Sequence, residues 1–201
     1  MHAMNGKARY AGKTYILYSM TGAGLGFVSM IFLLYYGSGE FMLGGDLNLA
    51  MLAGSENVML LFFVLGFFGF GVKAAIFPFH GWLLDASVAP TPVTALLHAV
   101  AVVNAGAFAI IRLTYYSFGT QFLRGTWVQD VVMVITMFTI VYGCSRAVKE
   151  THVKRRLAWS TISTLSYMLM GAALMTPAGM TGSLSHLIFH GVMKITLFYC
   201  A

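Results

Sequence analysis

The sequence predicts an all-α, polytopic transmembrane helix bundle of about six spans, one of them a proline-broken helix. Three observations carry this. Only 9% of the 201 residues are charged while 59% are hydrophobic, with a mean hydropathy of +0.80; a soluble domain carries about 25% charged residues. Apolar runs of about 20 residues recur along the chain, the length that carries an α-helix across a hydrocarbon core about 30 Å thick. Pro78 interrupts the second of these runs. In lipid, backbone polar groups must bond within their own segment, so helices are the default.

The first segment is about Tyr15–Tyr36, with Gly22, Gly24 and Gly26 suited to close helix packing. The second, about Asn57–Phe79, holds Lys73. The third, about Val93–Tyr115, holds His98 and Asn104. The fourth is about Trp127–Cys144 and the fifth about Leu157–Met175. The sixth starts near Gly182 and is still apolar at Ala201, as in a partial chain of a longer bundle. Residues 1–201 read as a single transmembrane domain without a linker. The N-terminal stretch Met1–Thr14 lacks a signal-peptide pattern. Cys144 and Cys200 lie in apolar runs and read as small core residues, not as a disulfide or metal pair.

The net charge of +6 reads as membrane topology, and no nucleic-acid partner is expected from it. Lys7, Arg9 and Lys13 precede the first segment. Arg146, Lys149, Lys154, Arg155 and Arg156 flank the loop between the fourth and fifth. Six spans put both groups on one side, opposite Glu40, Asp46 and Glu56. The positive-inside rule places that basic side, and the N-terminus, in the cytoplasm of a multi-pass protein of the cell inner membrane.

Lys73 is the residue an apolar bundle least accommodates. A lysine at a helix centre costs about 2.5–3.5 kcal/mol on insertion scales. It either snorkels to the interface from near a helix end or serves an ion site. Pro78 favours the second reading: it clashes with the Ala74 carbonyl four residues back and frees a backbone acceptor beside the lysine. A broken helix with a buried cation is how transporters build midplane ion sites.

The sixth segment carries His186, His190 and Lys194 at i, i+4 and i+8. They fall within an arc of roughly 80° and span about 12 Å. Three aligned titratable groups suit a proton relay, since histidine titrates near physiological pH. A metal site lacks carboxylate or thiolate partners, Leu187 stands where HExxH needs glutamate, and Lys194 repels a cation. His98 is a candidate link between Lys73 and this row. Asn104 suits bound water or helix packing equally. Ser160, Thr161, Ser163 and Ser166 either line a wet path or bond their own backbone. Trp82 fits an interfacial anchor. Asp85 either caps the turn before Pro90 or pairs with a neighbouring subunit. No carboxylate is placed to balance Lys73 at depth.

The run PFHGWLLDA from Pro78, then APTPVTALLH ending at His98, resembles the antiporter-like proton-translocating subunits of respiratory complex I, membrane-bound hydrogenases and Mrp cation/proton antiporters. KRRLAWSTIS from Lys154 and SHLIFHGVMK ending at Lys194 are similar to two further blocks of that family. The resemblance covers nearly the whole chain. It implies a proton pathway through Lys73, on the broken helix, with His98, His186, His190 and Lys194, and a link to the cytoplasm through Lys154. It implies a non-redox subunit without a cofactor or metal of its own. Its partners would be homologous membrane subunits and the lipid bilayer, and its ions protons, with Na⁺ as a second candidate. The family's glutamate helix would precede Met1, and further helices would follow Ala201. Leu84 replaces the usual proline before Asp85, and many relatives carry lysine at Asn104. The rival reading is a structural or degenerate membrane subunit whose buried polar residues serve only packing; a third is an unrelated transporter with its own solute.

Overall fold

The computed structural model describes residues 6–48, 51–52 and 54–201. Residues 1–5 of the predicted N-terminal arm lie outside the described residues. The described chain is a bundle of long helices without a strand; a single antiparallel bridge joins Gly37 to Leu47. The order is α1 (Gly6–Tyr36), α2 (Glu56–Lys73), α3 (Gly81–Asp85), a 3-10 turn (Ala86–Val88), α4 (Thr91–Ala99), α5 (Val102–Arg112), a π-helical turn (Leu113–Phe118), α6 (Thr120–Leu123), α7 (Trp127–Lys149), α8 (Val153–Ala173) and α9 (Pro177–Cys200).

The six predicted segments correspond to α1, α2, the composite Thr91–Phe118, α7, α8 and α9. Four of these, α1, α2, Thr91–Phe118 and α7, are long and apolar enough to cross a membrane. The other two, α8 and α9, have similar lengths of 21 and 24 residues but fall short of that apolarity. The crossings alternate. The start of α1 packs against α3 and the 3-10 turn at one end. At the other end the Gly44 and Asp46 amides donate to the Tyr115 and Ser117 carbonyls at 3.0 and 2.9 Å. Gly119, at φ +81°, lies there directly against Gly44 and Gly45, where a side chain has no room.

α1 buries only Gly22, Gly26, Ser29 and Leu33 and turns its large apolar side chains outward. This is the pattern for helices in lipid, where close backbone approach rather than apolar burial holds the pair together. Gly69 of α2 supplies the other half: a Cβ there would sit 2.8 Å from the Gly22 carbonyl oxygen and 2.5 Å from the Gly26 nitrogen. Gly24 is a correction to the expected glycine seam, because nothing lies within 4 Å of its would-be Cβ.

The second segment stops earlier than predicted. α2 ends at Lys73, and Ala75 takes the left-handed conformation at φ +56°. The Ile76 amide donates to the Gly71 carbonyl at 3.1 Å and the Ala75 amide to the Val72 carbonyl at 3.2 Å. This is a Schellman closure, which ends the helix before Pro78 is reached. The third segment is also broken, between Ala99 and Val102, where neither glycine nor proline stands.

Both cysteines are exposed on the outer surface of the bundle, correcting their reading as core residues. A lipid-facing position is as apolar as a core one, so an apolar run does not report burial. Trp82 is likewise not an interfacial anchor. It is 2% exposed, and its Nε1–H donates to the Val72 carbonyl at 2.8 Å. The indole thus covers the acceptor that the end of α2 leaves partly unmet.

Candidate functional site

The sequence-predicted residues fall into two groups, one on each side of α5. The first is Lys73 and the break after it. Lys73 is the last residue of α2, where the helix dipole favours a cation. It is half-buried and borders a crevice lined by Tyr15, Ser19, Val72 and Trp82 that has no room for a water molecule. Its Cβ packs against Gly106 of α5, where a methyl group would approach it to 2.9 Å. The loop that follows is tied to α7, the Phe77 amide donating to Thr139 Oγ1 at 3.4 Å. Pro78 lies exposed in that loop after a cis peptide bond.

The second group is built where α4, α8 and α9 meet. His98 and His190 are fully buried and Lys194 is 2% exposed. Lys194 Nζ donates to Ser160 Oγ of α8 at 2.7 Å and lies 3.5 Å from the Leu157 carbonyl oxygen. Its ammonium is close enough to both imidazoles for like charges to repel. The His98 ring packs on Phe198 at 5.1 Å between centroids. Gly191 lets α9 approach the α4–α5 break: a Cβ there would lie 3.5 Å from both the Ala99 carbonyl oxygen and Asn104 Nδ2. Asn104 Nδ2 donates to that same Ala99 carbonyl at 2.9 Å, so the side chain supplies a bond the broken helix gives up.

Both ring nitrogens of His98, both of His190 and the Asn104 Oδ1 are buried without a hydrogen-bond partner in the protein. An unmet buried polar atom costs about 1–3 kcal/mol. So many in one place suit bound water, which bridges two to four polar groups at a time. One buried ammonium and two buried imidazoles are groups that can exchange protons through bound water. Among the described residues no carboxylate lies within ion-pair distance of Lys73 or Lys194; the ion pair present, Arg155 with Glu150 at 3.9 Å, is at the exposed rim.

Asn104 and Gly106 are two positions apart on α5, about 200° around its axis. Lys73 therefore meets α5 on the side away from Gly191 and the Lys194 cluster. His186 is half-buried one turn before His190; its Nε2 is unpartnered, and it lines a groove of about 730 Å³ between α8 and α9. Lys154 is half-buried at the start of α8, six residues before Ser160. Of the serine and threonine candidates, Ser160 bonds Lys194, whereas Thr161 and Ser166 donate to their own helix. Ser163 donates across to the Ile140 carbonyl of α7. Asp85 is half-buried beside Lys7; burial holds its carboxyl above the usual range, opposed by the Arg155 guanidinium. The α4–α5 break and the role of Trp82 escape the sequence. The one local signal for the break is Asn104, an amide placed five residues after the carbonyl it binds.

The whole chain, residues 1–201, matches the family described as NADH:quinone oxidoreductase/Mrp antiporter, TM. It is 33% identical to NAD(P)H-quinone oxidoreductase chain 4 2 of Thermosynechococcus vestitus, over 96% of this chain and 35% of that protein. It is 37% identical to the chloroplastic NAD(P)H-quinone oxidoreductase subunit 5 of Phaseolus vulgaris, over 72% of this chain and 19% of that protein. In three dimensions it is similar to a chain of the Mrp complex from Dietzia sp. DQ12-45-1b, with a TM-score of 0.80, 24% identity, and 96% of this chain and 35% of that one covered. A chain of the membrane-bound sulfane sulfur reductase, an archaeal respiratory membrane complex, gives a TM-score of 0.78 and 26% identity, with 98% and 40% covered. The chain thus spans about a third of the length of the chain-4 relative it matches. With a match along all of its residues, the chain belongs to the NADH:quinone oxidoreductase/Mrp antiporter family of integral membrane proteins.

Proposed function

We propose that this chain is the part of a proton-conducting membrane subunit that carries the mid-membrane stretch of the path. The subunit serves a redox-driven complex of the NADH:quinone oxidoreductase or hydrogenase type, or a cation/proton antiporter, with Na⁺ a second candidate ion. Redox energy or an ion gradient arrives from partner membrane subunits and shifts the populations of charge states along the path. The chain holds no cofactor of its own. Its N-terminus and its basic α7–α8 loop face the cytoplasm across the cell inner membrane, following the distribution of lysine and arginine.

The observation that supports this reading is the buried Lys194–His98–His190 cluster with its unpartnered ring nitrogens. Protons pass between Lys194 and the two imidazoles through bound water, with His186 one turn further along α9 and Lys154 toward the basic face. Exchange with Lys73 has to pass α5, which stands between that lysine at Gly106 and the cluster beside Asn104. The test is proton flux in vesicles holding the assembled complex. Lys194→Met and Lys73→Met abolish coupled flux while the complex still assembles. If flux per assembled complex is unchanged in both variants, the buried polar residues serve packing and the proposal is wrong.

A further inference from the structure

The loop that follows α2 places His80 in a chamber that the path above does not use. His80 packs against Phe77 of its own loop at 5.7 Å between ring centroids. It meets Tyr142 of α7 at 5.6 Å and Trp159 of α8 at 5.3 Å. Arg146, one turn beyond Tyr142, lies over the Trp159 ring at 5.3 Å. The imidazole is therefore walled by aromatic rings with a guanidinium close by. Arg146 is the charged group that faces it, from α7; α8 faces it with neutral Trp159, and its own loop with Phe77.

Two polar atoms in this chamber have no partner: His80 Nδ1 and Trp159 Nε1, both buried. They are complementary. An indole N–H only donates, and a neutral imidazole nitrogen can accept. One water molecule that accepts from Trp159 and donates to His80 would meet both needs. Burial among the rings, and after it the like charge of Arg146, oppose a lasting positive charge on the imidazole. Such a histidine stays neutral at rest and takes a proton only in passing. Trp159 also directly precedes Ser160, the residue that holds Lys194.

We infer that His80, with a water molecule held by Trp159, is a proton-exchange site on the basic side of the α2 break. The inference rests on the proton-conducting reading of the chain. A proton delivered through the water to Nδ1 forms the imidazolium, and its loss from either ring nitrogen restores the neutral ring; no electron changes hands.

The test uses the assembled complex in vesicles, with flux followed as a function of pH. His80→Gln keeps a hydrogen-bonding side chain but cannot titrate. It lowers flux about a hundredfold, the low end for loss of a positioned proton carrier, and flattens the pH profile. Trp159→Phe keeps a ring in place and removes the donor; it slows flux and leaves the quantity of assembled complex unchanged. If His80→Gln retains the rate and pH profile of the unaltered protein, the inference is overturned. So it is if Trp159→Phe, which covers the case of a His80 variant that fails to assemble, retains full flux. Lys194→Met in the same assay separates the two ideas: its retention of flux sinks the conducting role itself, whereas its loss beside an active His80→Gln sinks this site alone.

Discussion

Trp82 is the residue by which the end of α2 can be tested. Its indole is 2% exposed, it donates to the Val72 carbonyl at 2.8 Å, and it lies 5.3 Å from the Tyr15 ring. Trp82→Phe preserves a buried aromatic ring and removes the donor. The Val72 carbonyl keeps its bond from the Ala75 amide at 3.2 Å, so one of its two lone pairs is left unmet in a dry site. The loss is then about 0.5–1.5 kcal/mol, the net worth of one hydrogen bond to an acceptor that keeps another. Trp82→Ala adds the missing ring volume and reaches about 3–5 kcal/mol. The assay is equilibrium unfolding in mixed detergent micelles, read by far-ultraviolet circular dichroism. The variants should rank unaltered protein, Phe, Ala, with Phe clearly separated from the unaltered protein. A Trp82→Phe change within about 0.5 kcal/mol of zero, the range of an ordinary surface substitution, would refute the claim that the indole closes the end of α2.

Other outcomes follow from the packing. Gly69→Ala forces α1 and α2 apart, because its Cβ would meet the Gly22 carbonyl oxygen at 2.8 Å; it destabilises by about 1–3 kcal/mol, as overpacking does, measured by the same unfolding. Asp46 lies in the loop after α1. Burial would raise its pKa, but bonds from the Ser38 hydroxyl and the Gly39 and Glu40 amides outweigh it and hold the carboxyl below its ordinary value of 3.8. Its stabilising contribution is therefore complete above that value and fades as pH falls through the folded pKa; thermal melts between pH 3 and 6 should show the loss, and Asp46→Asn should remove this pH dependence. Because the crossings alternate, cysteines introduced at Lys7 and Glu150 should react with an impermeant maleimide from one side of the membrane and one at Glu40 from the other. Ser160→Ala takes away the 2.7 Å partner of the Lys194 ammonium; flux should fall, while the retained Leu157 contact keeps the fold intact, as parallel flux and melting measurements would reveal.

Much of the fold is legible in the residues because it depends on length and composition. A run of apolar residues long enough to cross the membrane makes a helix wherever it sits in the bundle. The break after Lys73 is legible too, although its position is not. The sequence points to Pro78, while the helix ends at a Schellman closure around Ala75, a residue type with no preference for the left-handed conformation it takes. The inward face of each helix is less legible. In α1 the buried residues are Gly22, Gly26, Ser29 and Leu33, whereas Leu17, Met20 and Phe27 face outward. Apolar periodicity reports the core in water and loses that meaning in lipid.

The titratable row on α9 illustrates the division. Spacing alone put His186, His190 and Lys194 on one face of one helix, and composition alone made a buried cation a feature needing a cause. Which of them is enclosed, and by what, depended on other helices. Gly191 admits the α4–α5 break, Ser160 of α8 reaches the ammonium, and α5 stands between that cluster and Lys73. Period and length are properties of a segment and survive in the sequence. The facing of one helix toward another is set by small residues meeting across a seam and by polar atoms seeking partners, and those are decided only when the helices pack.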